Sequence, residues 1–348
     1  MTRKRWEIRR RPSGIVVAVR LGMLRCRVAE RRASKGADIG TTSPAPPWAL
    51  ILAGGDGTRL RALTRRVSGD ARPKQFCPLL DGDTLLNRTR RRVDLLSRGD
   101  QQVVVVTRPH EPYYRALVAD LSPGRLVVQP RNRGTAAGLL YPLLRIAELN
   151  GDAMLAVFPS DHFVDDDPAF MSTVSGAIDA ARARPDLVVL LGIEAGAPEP
   201  EYGWIEPAAE PLPLDGEPVF PIRRFWEKPS PELAHGLFAR GCLWNSFVMV
   251  GRVRAFLDLV AAGTPGLLRA FRPIRRAIGT PRERAVAERV YATLPEVNFS
   301  EHVLVPSVAR LGVVRVKGVQ WSDWGNPERV LTTIARMGLR PLPVAQSA

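Results

Sequence analysis

From Trp48 onward, short apolar runs alternate with longer stretches in which apolar positions recur every three or four residues. A short, continuously apolar run predicts a strand that is covered on both faces, and the longer spacing predicts a helix. The predicted strands are Trp48–Ala53, Val103–Thr107, Leu126–Val128, Met154–Phe158 and Leu187–Ile193. The predicted helices between them are Thr84–Ser97, Pro112–Leu121, Thr135–Leu149 and Pro168–Ala183.

The alternation of strands and helices indicates an α/β fold. We predict a Rossmann-like, doubly wound sheet that is mixed but mostly parallel, with helices on both faces. After residue 200 the pattern changes to shorter strands with helices between them, at Trp204–Glu206, Val219–Trp226, Phe247–Val250 and Val313–Val316. The pattern therefore predicts one domain over residues 48–335, followed by a tail over residues 336–348.

Residues 1–47 differ from the rest of the chain because they are rich in Arg and end in a Pro-rich linker composition. They carry a net charge of +9 out of the chain's +15, so the remaining residues carry only +6. A charge of this size suits phosphorylated substrates and does not require a nucleic acid. We expect a basic, disordered extension; an unused upstream translation start and a nucleic-acid or membrane-binding arm are the alternatives.

The cysteines and the apolar runs bear on the cellular compartment. Cys26, Cys77 and Cys242 are widely spaced and form no metal-ligand pattern, which disfavours a zinc site or a disulfide framework. The sequence contains no stretch of about 20 apolar residues, which a membrane span would need. The apolar run at 15–19 is too short for a signal peptide. These features predict a cytoplasmic protein with reduced thiols.

A glycine-rich segment, Leu52-Ala53-Gly54-Gly55-Asp56-Gly57-Thr58-Arg59-Leu60, directly follows the first predicted strand. Glycine allows backbone N–H groups to approach phosphate oxygens closely, and ligands of open parallel sheets lie at the carboxyl ends of strands. The spacing matches neither a Walker loop nor the dinucleotide pattern, which disfavours a dehydrogenase. We interpret the segment as a phosphate-binding loop, and a tight turn without a ligand is the alternative.

This loop, followed by Arg72-Pro73-Lys74-Gln75-Phe76, resembles the signature of mannose-1-phosphate guanylyltransferases, which are sugar-phosphate nucleotidyltransferases. Five more segments resemble motifs of that family in the same order, namely Phe158–His162, Tyr202–Glu206, Phe225–Pro229, Trp244–Ser246 and Trp321–Gly325. The resemblance covers residues 48–335. It implies a GT-A-like nucleotidyltransferase fold and a Mg²⁺-dependent reaction of GTP with mannose 1-phosphate that gives GDP-mannose and pyrophosphate.

The chemistry and the resemblance together suggest roles for individual residues. Two anionic substrates must be neutralised, so we expect Arg59 and Lys74 to face the triphosphate and Lys228 to face the sugar phosphate. The resemblance implies that Asp161 and Asp323 bind Mg²⁺. It also implies that Asp161 is a catalytic residue, together with Arg59, Lys74 and Lys228. It implies sugar contacts from Tyr202, Gly203, Glu227 and Asn245, and nucleotide contacts from Leu52, Ala53, Gly54, Gly55, Gly57, Thr58, Arg133, Thr135 and Ser160.

One departure from the family pattern keeps the substrates open. Gly134 stands where the family's Arg-Asn-Thr-Ala-Pro segment has Asn, and Asn side chains often read base edges. Another nucleoside triphosphate such as ATP, and another hexose or heptose 1-phosphate, are therefore alternatives. A non-catalytic regulatory paralogue is a further alternative, disfavoured by the presence of Lys74, Asp161 and Asp323. The sequence leaves a homodimer open, and we expect a monofunctional enzyme.

Overall fold

A computed structural model describes residues 45–338. The basic extension and the tail predicted from the sequence fall almost entirely outside these residues. The strands are β1 (Trp48–Leu52), β2 (Gln102–Thr107), β3 (Leu126–Gln129), β4 (Met154–Pro159), β5 (Phe163–Val164), β6 (Val188–Glu194), β7 (Gly203–Pro207), β8 (Phe220–Glu227), β9 (Leu243–Arg252), β10 (Leu311–Val316) and β11 (Trp321–Ser322).

The helices are α1 (Arg61–Ser68), α2 (Leu85–Asp94), α3 (Glu111–Tyr114), α4 (Gly134–Leu149), α5 (Asp167–Ala183), α6 (Pro231–Ala239), α7 (Val253–Gly263), α8 (Pro265–Ala270), α9 (Arg272–Ala277), α10 (Glu283–Thr293) and α11 (Pro327–Arg336). Side-chain caps fix several helix starts. Thr84 caps α2 by accepting from the Asn87 amide, and Asp166 caps α5 by accepting from Ala169. The helix predicted at Pro112–Leu121 is instead broken after α3, and a single 3₁₀ turn follows at Ala116–Val118.

Nine of the described strands form one sheet in the order β3-β2-β1-β4-β9-β6-β10-β8-β7. The pairings make seven of these strands run in one direction, and β8 and β9 run against them. This arrangement confirms the predicted mixed, mostly parallel sheet. Strands β5 and β11 pair separately as a short antiparallel ladder.

Apolar layers cover both faces of the sheet because successive strand residues point to opposite sides. In β1, Leu50 packs into the layer that contains α4 and α7, whereas Ala49 and Ile51 pack into the layer that contains α2 and α5. Helices on both faces leave the carboxyl ends of the parallel strands as the open edge of the sheet. Among residues 45–338, no helix is both long enough and apolar enough to cross a membrane.

Candidate functional site

The carboxyl ends of β1 and β4 lie side by side. Leu52 is paired with Pro159, and both the amide and the hydroxyl of Ser160 donate to the Leu52 carbonyl, at 3.0 Å and 2.7 Å. Ser160 is fully buried. Its polar groups join the two strand ends and bring the glycine-rich loop next to Asp161, and a contact of Ser160 with the nucleotide stays a prediction.

The glycine-rich loop turns its carbonyl groups inward. The Gln75 amide donates to the carbonyls of Ala53 at 3.2 Å and Gly55 at 2.8 Å, and the Thr107 hydroxyl donates to that of Gly54 at 2.8 Å. Within residues 45–338, the backbone N–H groups of 54–58 donate to no partner. The loop therefore presents a row of free amides, which is the arrangement that binds phosphate.

Two predicted loop contacts do not belong to that row. The Ala53 amide donates to Val105 and its carbonyl accepts from Gln75, and the Leu52 carbonyl is occupied by Ser160. Leu52 and Ala53 therefore anchor the loop through these groups, and their contact with the nucleotide stays a prediction. Gln75 was missed as the organiser of the loop, although its position directly after Lys74 in the motif was a usable signal.

The loop glycines serve different purposes. A Cβ at Gly54 would lie 2.7 Å from the Gln129 amide nitrogen, and one at Gly57, where φ is +57°, would lie 3.1 Å from the Lys74 amide. These two positions have no room for a side chain. A Cβ at Gly55 would meet nothing within 4 Å, so this glycine leaves open space in which a ligand can approach the backbone.

Lys74 joins the two carboxylate segments predicted for the metal. Its ammonium group lies 3.3 Å from Asp161 Oδ2 and donates to the backbone carbonyls of Asp323 and of Trp324, the latter at 3.1 Å. The side chain is only 8% exposed. Three acceptors match the three N–H groups of an ammonium, so Lys74 contributes its charge to the site while it connects β4 to the turn at 323–325.

Asp323 is held by one of its carboxylate oxygens. Oδ1 accepts from the Gly325 amide at 2.7 Å, from Arg329 at 2.9 Å and from the Tyr202 hydroxyl at 3.1 Å. Burial acts to raise the pKa of this carboxyl, but the charges of Lys74 and Arg329 and the hydrogen bond from the Gly325 amide outweigh it and hold the pKa below the ordinary Asp value. Asp323 is therefore an ionised carboxylate at neutral pH.

The donor set fits a magnesium ion. Within residues 45–338, Oδ2 of Asp323 accepts no hydrogen bond, and the Asp161 side chain is 35% exposed. No group of three or more His, Cys, Asp or Glu in these residues could hold a metal ion by itself. Two carboxylates with remaining ligands from phosphate and water is the combination that Mg²⁺ accepts most readily in proteins.

These segments surround one small cavity of about 210 Å³. It is lined by Gly57, Thr58, Arg59, Leu60, Lys74, Asp161, Trp324 and Gly325. The structure thus brings together the loop, both cations predicted for the triphosphate and the segments that carry both predicted metal ligands. Arg59 is half exposed, and its guanidinium pairs with Glu201 at 3.3 Å.

The residues predicted for the sugar divide between two faces of the sheet. A Cβ at Gly203 would lie 3.0 Å from Glu227 Oε2 and 3.3 Å from Asn245 Cβ, so these three residues are close neighbours. The Asn298 amide lies 3.5 Å from Glu227 Oε1. Burial raises the pKa of Glu227, against the opposing influence of Lys228 and Asn298.

Tyr202 lies on the other face. Its ring contacts Trp244 and Trp321 at centroid distances of 4.9 Å and 5.3 Å, and its hydroxyl donates to Asp323. The Tyr202 side chain therefore supports Asp323, and its contact with the sugar stays a prediction.

Backbone strain marks the same region. Among residues 45–338, four non-glycine residues have positive φ, namely Asp81, Lys228, Phe247 and Trp324. The last three directly follow or lie within two residues of Glu227, Asn245 and Asp323. Such conformations cost free energy and concentrate at functional sites. The exposed Lys228 has φ of +48°, and its amide donates to the Tyr202 carbonyl at 3.2 Å.

The start of α4 is packed against residues 291–299. The Arg133 guanidinium donates to the carbonyls of Tyr291 and Ala292, and the Thr135 hydroxyl accepts from the Phe299 amide at 2.8 Å. These bonds hold the start of α4 in place, and contacts of Arg133 and Thr135 with the nucleotide stay predictions. A Cβ at Gly134, where φ is +80°, would lie 2.4 Å from the Val297 carbonyl oxygen, so this chain has no room for Asn there.

The sequence analysis gave no role to Asp56, which links the loop to its neighbours. Its carboxylate accepts from the Asn132 amide at 2.8 Å and lies 3.1 Å from His110 Nε2. Asn132 also accepts from the Gly134 amide at 3.0 Å. The Asn that lies nearest to Gly134 is thus bound to the loop.

Comparisons with known proteins identify the family of the chain. A family model described as nucleotidyl transferase matches residues 48–337. The xanthan biosynthesis protein XanB of Xanthomonas campestris pv. campestris is 32% identical over 221 residues, which are 63% of this chain and 44% of XanB. A mannose-1-phosphate guanylyltransferase of Sinorhizobium fredii is 29% identical over 290 residues, which are 80% of this chain and 53% of that protein.

A solved structure is similar over most of both chains. It comes from Thermus thermophilus, is described as a mannose-1-phosphate geranyltransferase, and matches with a TM-score of 0.69 at 32% identity. The match covers 82% of this chain and 79% of the other. By contrast, the chain spans about half the length of the curated relatives it matches.

Proposed function

The chain belongs to the nucleotidyl transferase family, and we propose that it transfers a nucleotidyl group from a nucleoside triphosphate to a sugar 1-phosphate. GTP and mannose 1-phosphate are the leading pair, with GDP-mannose and pyrophosphate as products. A mannose-1-phosphate guanylyltransferase among the relatives supports this pair. The single observation that carries the proposal is the convergence of the loop, Lys74, Asp161 and the turn at 323–325 on one cavity.

In the proposed reaction, an oxygen of the sugar phosphate attacks the α-phosphorus of the triphosphate. The bond from that phosphorus to the bridging oxygen breaks, and pyrophosphate leaves with the electron pair. The attacking oxygen is already ionised at neutral pH, so no general base is needed. Burial lowers the pKa of His162, which packs edge-on against Trp321 at 5.1 Å and is therefore a neutral structural residue.

The residues divide the work by position. The triphosphate is bound by the guanidinium of Arg59 and by the free amides of Gly54, Gly55, Gly57 and Thr58. The charge of Lys74 offsets the repulsion between the triphosphate and the sugar phosphate. Asp161 and Asp323 hold Mg²⁺, which when bound neutralises charge on the phosphates. Lys228 binds the sugar phosphate, and Glu227, Asn245 and the Gly203 backbone bind sugar hydroxyls.

A pyrophosphate-release assay over a panel of substrates tests the proposal. GTP, ATP, UTP, CTP and dTTP would each be combined with mannose, glucose and heptose 1-phosphates in the presence of Mg²⁺. We expect the highest kcat/KM for GTP with mannose 1-phosphate. Folded protein that releases no pyrophosphate with any pair would contradict the proposal, and would favour a non-catalytic, regulatory role.

The packing of Gly134 supports a second candidate with the same chemistry and a different base. Asn cannot occupy position 134, and the nearby Asn132 is bound to Asp56 and to the Gly134 amide. A base at this position would meet backbone groups in place of an Asn side chain, which weakens the preference for guanine. A kcat/KM for ATP or a pyrimidine triphosphate above that for GTP would favour this candidate.

A further inference from the structure

Arg329 in α11 contacts four groups from two segments of the chain, residues 199–202 and Asp323. Its guanidinium lies 2.9 Å from Asp323 Oδ1, 2.7 Å from Glu199 Oε2 and 3.0 Å from Glu201 Oε2, and 4.6 Å above the ring of Tyr202. The side chain is only 16% exposed. The start of α11 is fixed, because the Asn326 side chain accepts from the Arg329 amide at 2.9 Å.

Glu201 extends this cluster to the nucleotide loop. Its carboxylate lies between the guanidinium of Arg329 and that of Arg59, the latter at 3.3 Å. Arg59 and Glu201 are both about half exposed. Glu199 is the natural comparison, since within residues 45–338 it binds Arg329 through the same nitrogen without pairing with Arg59. Its Oε1 accepts from the Glu201 amide at 3.1 Å, a bond that Gln at position 199 can keep.

The two ends of the cluster have different physical consequences. An isolated exposed ion pair contributes little, because two long side chains lose entropy in forming it. Arg329 already fixes Glu201, so part of that entropy is lost before Arg59 binds. At the other end, Arg329 and Tyr202 both bind Oδ1 of Asp323, and this leaves Oδ2 as the oxygen that can face a cation.

We propose that Arg329 and Glu201 are positioning residues that connect Arg59 of the nucleotide loop to the metal-binding turn at Asp323. The connection orients the two groups before substrate binds, so that nucleotide binding and metal binding favour each other. This inference rests on the proposed function. Reciprocity follows from linkage, since a nucleotide that strengthens metal binding is itself bound more strongly in the presence of metal.

The matched variants Glu201→Gln and Glu199→Gln test the arm that leads to Arg59. Binding of fluorescent mant-GTP and mant-ATP is measured directly, without turnover. We expect Glu201→Gln to weaken binding of the preferred nucleotide about threefold, on the scale of an exposed ion pair, and Glu199→Gln to leave it unchanged. Equal effects of the two variants, or tighter binding by Glu201→Gln, would overturn the connection.

The variant Arg329→Lys tests the arm that leads to Asp323. Lys keeps the positive charge but cannot bind two carboxylates in a fork or stack on Tyr202. Titration with Mn²⁺, followed by the electron paramagnetic resonance of the free ion, should show about tenfold weaker binding, as for other residues that orient metal ligands. Arg336→Lys, on the same helix but bound to Gln320, is the control and should bind Mn²⁺ as the wild type does.

The outcomes separate the two proposals. Wild-type protein that binds neither nucleotide and releases no pyrophosphate overturns the proposed function and the connection with it. Wild-type protein that binds nucleotide, together with variants that bind nucleotide and Mn²⁺ equally well, overturns the connection alone. If Arg329→Lys does not fold, the Glu201→Gln variant, at a half-exposed site, still tests the connection. In that variant, nucleotide should no longer strengthen Mn²⁺ binding, and Mn²⁺ should no longer strengthen nucleotide binding.

Discussion

At Asp323, neighbouring charges decide the state of a buried carboxyl group. Its pKa in the folded protein lies below its unfolded value of about 4. A group with a lowered folded pKa contributes stability that is present above its unfolded pKa. We therefore expect this contribution to be lost as the pH falls through the folded pKa, well below the range in which the enzyme would work.

Variants of Lys74 and Asp161 should show that the stability and the activity of the protein can change independently. Within the part of the chain that the structure describes, Asp161 is the one carboxylate that contacts the buried Lys74 ammonium. Asp161→Asn should therefore lower both kcat, by about 100-fold, and the melting temperature. The double variant Asp161→Asn with Lys74→Met removes the unpaired charge as well. It should recover much of the melting temperature and none of the activity.

Pyrophosphate release and differential scanning calorimetry measure the two quantities. Asp179→Asn, on the exposed face of α5, is the control that should change neither. Full activity of Asp161→Asn at the wild-type magnesium concentration would refute its role as a metal ligand.

The ionised form of Glu227 should lower the stability of the folded protein, whereas that of Asp323 raises it. Because burial raises its folded pKa, the ionised form at neutral pH costs stability, and the cost disappears as the pH falls through that pKa. Glu227→Gln should therefore raise the melting temperature at pH 7 by about 1–2 °C, with a smaller gain at lower pH, while it raises the KM for sugar phosphate. Glu210→Gln, at an exposed site, should do neither, and a destabilised Glu227→Gln would contradict the assignment.

Single residues differed in how far the sequence could place them. Lys74, Asp161 and Asp323 could be predicted because each is a charged group next to a strand end or a turn, and such groups are rarely buried without a partner. Ser160 lies in the same motif as Asp161, whereas Tyr202, Arg133 and Thr135 lie in other segments that resemble the family, and the side chains of all four bind protein groups. A motif gives the position of a residue in the chain, but the direction of its side chain depends on neighbours far away in the sequence.

At the scale of elements, a glycine at the start of α4 is needed for packing, whereas one in the glycine-rich loop leaves space for a ligand. Gly134→Ala places a Cβ 2.4 Å from the Val297 carbonyl oxygen at a positive φ, so it should destabilise the protein by about 2 kcal/mol or more. Gly55→Ala enters open space and should leave the melting temperature unchanged. It should instead raise the KM for the nucleotide, because the methyl group occupies the approach of the phosphates.

Calorimetry and steady-state kinetics on these two variants decide the prediction. A Gly134→Ala protein that melts like the wild type would mean that residues 294–298 can move away from α4. An unchanged nucleotide KM for Gly55→Ala would mean that the triphosphate does not approach the loop at this point.

Elements with a clear period were predictable and short ones were not. The continuous apolar runs of β1 and β4 identify them within one or two residues, because buried strands carry that pattern. The ladder of β5 and β11 has only two residues per strand, which is too few for any period. Residues 253–293 form four helices, and Pro residues in the first turns of α8 and α9 mark two of the breaks.

For the whole molecule, the fold class and the family resemblance are both confirmed, since the strand directions and the family model agree with them. The order of the strands could not be predicted. Nothing local in Leu243–Arg252 indicates that β9 pairs between β4 and β6, because strand order depends on contacts between distant segments.

The uneven charge of the chain leads to a prediction for the molecule as a whole. Residues 1–47 carry +9 of the net +15, and the family match begins at residue 48. Removing residues 1–44 should leave kcat and both KM values unchanged and should lower the salt concentration at which the protein elutes from heparin. A change in either KM would show that these residues contribute to catalysis.

The position of β9 has a consequence for synthesis on the ribosome. It completes the centre of the sheet, yet it ends 93 residues after β4 does. Because synthesis proceeds at about 5–20 residues per second, one edge of β4 remains unpaired for roughly 5–19 s. A nascent chain stalled before residue 243 should therefore aggregate or recruit a chaperone, whereas one that has passed residue 252 can pair β9 with the free edge of β4.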